Sequence, residues 1–187
     1  GEEFFWAITD WLDSTIGAEY LSKSGVMPSA EVRYAIDPAS DGQLKFVFLN
    51  DQVTNQDLYR LLIQQRQDFG WGIRGLAQLD QRSEGDIVRK FSQSIAEESA
   101  IRTASFGVLT KLFTNGGVTL EATQYKGIPD SGTTAQFHYS PRVRFSQFPT
   151  SLPGGLLFGL DTSYARLSST DIVNNTPVQR LDFFPRL

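Results

Sequence analysis

No cysteine occurs among the 187 residues, which excludes disulfides, thiolate metal centres and cysteine nucleophiles within the segment. The single histidine removes clustered-histidine metal sites as well. No apolar run reaches the length of a membrane-spanning helix. A formal net charge of -4, a pI near 5.0 and the lack of any basic stripe give no electrostatic reason to expect a nucleic-acid partner. Gly1-Glu2-Glu3 offers neither a Met start nor a signal peptide, so the chain reads as a mature or excised piece, with export left open.

What is present lies near the globular average: 40% hydrophobic and 20% charged residues, with a mean hydropathy of -0.24. Those totals fit a soluble β protein or a membrane barrel equally well, because a barrel dilutes its apolar residues by alternation. The order of residues says more. Over 13–37, Ile16, Ala18 and Tyr20 alternate with Thr15, Gly17 and Glu19, and then Ala30, Val32, Tyr34 and Ile36 alternate with Glu31, Arg33 and Asp37. A period of two means strand, with one apolar and one polar face. Ser22-Lys23-Ser24-Gly25 tolerates a reversal and Pro28 cannot donate to a ladder, so the chain is expected to turn there.

The pattern continues along the chain. Leu44, Phe46 and Phe48 mark a third strand; Tyr59, Leu61 and Ile63 a fourth; Trp71, Ile73, Ala77 and Leu79 a fifth. The charged stretch over 81–100 interrupts it, and Ile87, Val88, Phe91 and Ile95 fall there near helical spacing. Ala104, Phe106, Val108 and Leu112 form strand six, joined to strand seven (Val118, Leu120, Ala122) by Asn115-Gly116, the dipeptide of a type I′ hairpin turn. The longest alternation runs over 134–148, where Ala135, Phe137, Tyr139, Val143 and Phe145 oppose Gln136, His138, Ser140, Arg142, Arg144 and Ser146. Its length exceeds the nine to eleven or so residues a membrane strand needs to cross. Two more strands follow, with Leu156, Phe158, Leu160 and Tyr164, and over 178–184. About ten sequential strands with no crossover helix make an all-β, antiparallel up-and-down meander. Connections after residues 22, 50, 81, 126 and 166 are longer than those after 37, 68, 114 and 148, the asymmetry of outer-membrane barrels. Phe4, Phe5, Trp6 and Trp11, ahead of the first hairpin, suit either a core or an interfacial anchor.

Candidate chemistry is thin. Gly70-Trp71-Gly72-Ile73-Arg74-Gly75 spells the dinucleotide-binding G-x-G-x-x-G, but an alternating strand follows where a helix would have to receive a pyrophosphate. His138 has no identifiable partner as a general base and reads as a polar-face residue. Glu84, Asp86, Glu97 and Glu98 lack the spacing of a calcium loop and read as a solvated acidic stretch. No catalytic residue, metal site or cofactor is expected.

Three stretches, taken together, resemble the LptD family of lipopolysaccharide-assembly proteins. FFWAITDWLDSTIGAEYLSKSGVMPSAEVRYAI is similar to the start of that family's barrel: an aromatic segment, a D-A-T-like strand, a Y-L-S-[KR]-x-G turn and an E-x-R-Y strand. DLYRLLIQQRQDFGWGIRGLAQLD resembles the following hairpin. PRVRFSQFPTSLPGGLLFGLDTSYARL and QRLDFFPRL resemble its P-x-[VI]-x-[FL] strand, F-P-x-x-[LI] turn and R-L-D-x-x-P-R-[LF] ending. Where many members carry a proline in the first strand, this chain has Gly17-Ala18, and a glycine also weakens pairing, less strongly.

The resemblance implies a partial barrel over 1–187, with no second domain, belonging to a transmembrane barrel of roughly two dozen strands or more. It implies a non-enzymatic conduit in the outer membrane of a Gram-negative bacterium that inserts lipopolysaccharide into the outer leaflet. The partners implied are lipopolysaccharide, an LptE-like lipoprotein plug and an LptA-like periplasmic bridge. It also places the strand over 13–22 at a lateral gate between first and last barrel strands. Asp13, Thr15, Gly17, Glu19, Glu31 and Arg33 would then face the lumen, with Arg33, or a bridging divalent cation, offsetting the repulsion of Glu19 for an anionic headgroup. Ile16, Ala18, Tyr20, Phe137, Tyr139, Val143 and Phe145 would face lipid. The alternatives are a self-contained small outer-membrane barrel, such as a porin, and a soluble β-sandwich binding module.

Overall fold

The computed structural model describes residues 1–83, 102–127, 136–169 and 177–186. Eleven strands run β1 (Glu2–Thr9), β2 (Leu12–Leu21), β3 (Gly25–Asp37), β4 (Ser40–Asp51), β5 (Gln56–Gly70), β6 (Ile73–Arg82), β7 (Arg102–Phe113), β8 (Gly116–Gly127), β9 (Gln136–Ser151), β10 (Leu157–Ser169) and β11 (Val178–Arg186). Their order in the sheet is their order in the sequence, from β1 to β11. The fold is therefore an open antiparallel meander in a single sheet. The additional strand is β1: Phe4, Phe5 and Trp6 pair with Ile16, Thr15 and Ser14. The strand over 13–22 is consequently the second, with β1 on one edge and β3 on the other.

By contacts the chain divides into two compact units, Gly1–Arg66 with Gln78–Ile101, and Gln67–Ala77 with Arg102–Leu187. In the first, apolar burial is confined to a small cluster: Leu49 and Leu58, partners across β4 and β5, with Leu21 and Met27 packed against them. In the second, Ala165 is the buried hydrophobic residue among those described. Most large apolar side chains are instead exposed, including Phe4, Trp6, Ile16, Tyr20, Leu120 and Phe183. A water-soluble domain of this size would bury such residues.

The connections alternate as the sequence predicts. Residues 10–11, 38–39, 71–72, 114–115 and 152–156 join strands at one set of ends, and 22–24, 52–55, 83–101, 128–135 and 170–177 at the other. The expected helical segment over 81–100 and the acidic group Glu84, Asp86, Glu97 and Glu98 fall, from residue 84 on, outside the described residues.

Turn chemistry differs in detail from expectation. Asn115-Gly116 does make a hairpin, yet Phe113 pairs with Gly116, so Thr114 and Asn115 are the loop residues, and neither has positive φ. The two-residue loop with both residues at positive φ is Trp71-Gly72, with φ of 52° and 74°. The glycine-rich motif is thus a tight hairpin between β5 and β6, fastened by Asp68, whose carboxylate accepts from Gly70 N at 2.8 Å and Arg74 Nε at 3.3 Å. Pro28 lies within β3, so the turn before it ends at Ser24. The β3–β4 ladder begins at Ser29, and the missing N–H of Pro28 falls where that ladder lapses.

β9 is not one unbroken alternation. Tyr139 to Arg142 on β9 spans one residue more than Thr123 to Glu121 on β8 and Leu167 to Ala165 on β10. A second mismatch sets Thr150 to Gln147 against Phe158 to Leu160. Each extra residue is a bulge, and Pro141 and Pro149 lie in the two bulges. A proline inside a central strand is tolerated only where no ladder donor is required.

Candidate functional site

The polar face of the first unit is built by register. Asp13, Thr15, Gly17 and Glu19 on β2 stand opposite Arg33, Glu31, Ser29 and Met27 on β3. Glu31 and Arg33 stand in turn opposite Lys45 and Gln43 on β4, and Gln43 opposite Gln64 on β5. With a period of two, these side chains share one face. Arg33 Nε donates to Asp13 Oδ1 at 2.9 Å and lies 3.8 Å from Glu31 Oε1. Arg33 does not meet Glu19, whose opposite number is Met27 six residues earlier along β3. The expected offset of Glu19 by Arg33 is therefore replaced by an Asp13–Arg33 pair.

Further along the same face a polar ladder crosses three strands. Gln43 Nε2 donates to Gln64 Oε1, and Gln64 Nε2 donates to Gln78 Oε1 at 2.9 Å. Arg60 donates to both carboxylate oxygens of Asp80, each at 3.3 Å, and Arg82 Nη2 reaches Asp80 Oδ2 at 3.1 Å. Arg66 Nε donates to Asp41 Oδ1 at 2.6 Å. Sequence reading missed this ladder. Its signal was available: Gln43, Lys45, Arg60, Gln64, Gln78 and Asp80 hold the polar phase of their strands, but only cross-strand register shows which of them meet.

The opposite face of the unit is apolar and open. Ile16, Ala18 and Tyr20 are exposed, Ile16 at 57% and Tyr20 at 73%. Phe4 and Trp6 on β1 extend the same surface beside Ile16 and Ser14. Gly17 is buried between β1 and β3: a Cβ there would come within 2.9 Å of Ser29 Oγ and 3.1 Å of Glu3 Cγ.

In the second unit Val143, opposite Leu120 and Tyr164, is exposed and Phe145 half-buried. The side chains of Phe137 and Tyr139 lie outside the described residues. Their register positions are opposite Tyr125 and Thr123, whereas Val143 and Phe145 are opposite Leu120 and Val118. The extra residue at the bulge puts Phe137 and Tyr139 out of phase with Val143 and Phe145, so the four do not share the one face expected of them. Among the described residues no cluster of His, Asp or Glu could hold a metal ion.

No family model matches this chain. Compared with curated proteins, it is 25% identical over 185 residues to the LPS-assembly protein LptD of Alkalilimnicola ehrlichii, a match covering 98% of this chain and 24% of that protein. It is 22% identical over 198 residues to LptD of Paracidovorax citrulli, covering 97% of this chain and 23% of that one. The chain thus spans about a quarter of the length of the relatives it matches.

Proposed function

We propose that this chain, similar along nearly its whole length to a quarter of the LPS-assembly protein LptD, is part of the wall of an outer-membrane β-barrel that serves lipopolysaccharide assembly. The observation that carries the reading is sidedness. In the first unit, a sheet face that leaves Ile16, Tyr20, Phe4 and Trp6 bare opposite a face of paired charges is stable if hydrocarbon wets the first and water the second. The short connections would then lie at the periplasmic end and the longer ones outside.

In this reading the chain does no covalent chemistry. Its polar face, with Asp13, Thr15, Glu19, Glu31 and Arg33, lines a lumen through which the lipid's polar part passes, while its acyl chains leave sideways. β2 is paired on both edges, with β1 and with β3, which supports a place for it behind the seam of the lateral gate and not at the seam itself. The similarity to LptD supports partners of the LptE plug and LptA bridge types.

Membrane fractionation of the full-length protein tests this reading. Extraction only by detergent, with β structure retained, supports it. A protein that stays soluble at high concentration without detergent contradicts it.

A further inference from the structure

The hairpin that joins β5 to β6 carries a residue its turn geometry disfavours. Trp71 and Gly72 form the two-residue loop, both at positive φ, 52° and 74°, a conformation that asparagine and glycine adopt readily and a bulky side chain does not. Packing within the chain does not offset that strain, because Trp71 is 90% exposed. The backbone beneath it is nevertheless fixed. Gly72 O accepts from Leu112 N of β7 at 2.8 Å, and a Cβ at Gly72 would come within 2.9 Å of Leu112 O. A strained residue held by its backbone with its side chain bare points to a contact beyond this chain.

The surroundings say what that contact is. A Cβ at Gly75 would lie 2.9 Å from Phe69 Cε2 and 3.9 Å from Leu109 Cδ1, so Phe69 and Leu109 share one face of the second unit. Leu109 stands opposite Leu120 on β8, and Leu120 opposite Val143 on β9, which makes that face the apolar one. Phe69, Leu109 and Phe113 are exposed on it. Lys111, two residues on from Leu109, has the same phase, and its Nζ donates to Trp71 O. Its stem therefore follows the apolar face while its ammonium sits at the turn. That bond uses one of the ammonium's three donors. The carboxylate of the same hairpin, Asp68, is engaged by Gly70 N and Arg74 Nε. A cation with spare donors beside a bare indole, at the rim of an apolar face, complements a phosphodiester headgroup above acyl chains.

From this geometry we infer that the β5–β6 turn and Lys111 form a phospholipid-headgroup site, with the Trp71 indole at the glycerol level of the leaflet and the Lys111 ammonium on a lipid phosphate. The inference rests on the barrel reading above, in which the short connections lie at the periplasmic end and the apolar face meets hydrocarbon. It gives one turn a set depth and a set lipid contact, apart from the polar face.

The test uses the full-length protein reconstituted into vesicles of phosphatidylethanolamine and phosphatidylglycerol whose acyl chains are brominated near either the carbonyl or the methyl end. Subtracting the emission of a Trp71→Phe protein isolates Trp71. Carbonyl-end bromine should lower that emission about twofold or more, with little effect from methyl-end bromine or from iodide on both sides of the bilayer. Quenching by iodide alone overturns the site and turns Trp71 toward a water-borne protein partner. Stronger quenching by methyl-end bromine overturns the headgroup assignment. Lys111→Gln should leave about threefold less phosphatidylglycerol on the detergent-purified protein, read by mass spectrometry, and Lys111→Arg should restore it. Equal retention in all three proteins overturns the role of Lys111. Trp71→Asn, which suits positive φ, should raise the melting temperature in detergent while lowering lipid retention; a lower melting temperature would mean that the indole packs within the chain, and overturns the site. Extraction behaviour separates the two failures: a detergent-dependent protein with Trp71 in water sinks this site alone, whereas a soluble one sinks the barrel reading and the site with it.

Discussion

Arg33 Nε donates to Asp13 Oδ1 at 2.9 Å across the β2–β3 pair, joining side chains twenty residues apart that face each other in register. The pair is half-exposed, at 49% and 31%, so water and salt screen it. A double-mutant cycle with Asp13→Asn and Arg33→Gln should give a small coupling that shrinks as salt rises. A large coupling independent of salt would mean that the pair is shielded from water and that the polar face is no aqueous lumen.

The two phases of β2 should respond oppositely to charge. Ile16→Arg places a cation toward hydrocarbon and should cost on the order of 2–4 kcal/mol near the midplane. Thr15→Arg puts the same charge beside Glu31, its partner on β3, and should be nearly silent. Denaturant titration of the protein refolded into detergent or lipid reads the difference, and equal sensitivity at the two positions would point to a protein core on both sides.

Gly17 is held to a small residue by its neighbours. The Cβ of Gly17→Ala would press on Ser29 Oγ and Glu3 Cγ, both movable, so a cost below about 1 kcal/mol is expected, while Gly17→Val should cost about 1–3 kcal/mol by overpacking. Ser29→Ala should recover part of the Gly17→Ala loss. Full additivity of the two substitutions in an unfolding titration would show that the close approach is not what fixes glycine there.

The meander and the long-and-short alternation of its connections were legible in the sequence because period-two patterning needs no partner to be read. What depends on partners was not. The aromatics Phe4, Phe5 and Trp6 lack clean alternation, so β1 shows itself only through its pairing with β2. The pairing of Arg33 with Asp13 rather than Glu19 follows from a register that the Ser22–Ser24 turn sets. The bulges of β9 were readable in principle, since Pro141 and Pro149 sit inside an otherwise regular run, where a residue without an N–H marks a lapse in the ladder.

Sidedness of β2 is tested most directly by thiol accessibility. The chain has no cysteine of its own, so single cysteines at each position from Thr15 to Tyr20 in the full-length protein, on a background free of other reactive thiols, can be probed in intact outer membranes with a charged maleimide. Labelling is expected at Thr15 and Glu19, with protection at Ile16, Ala18 and Tyr20. Uniform labelling, or the reverse alternation, would contradict it.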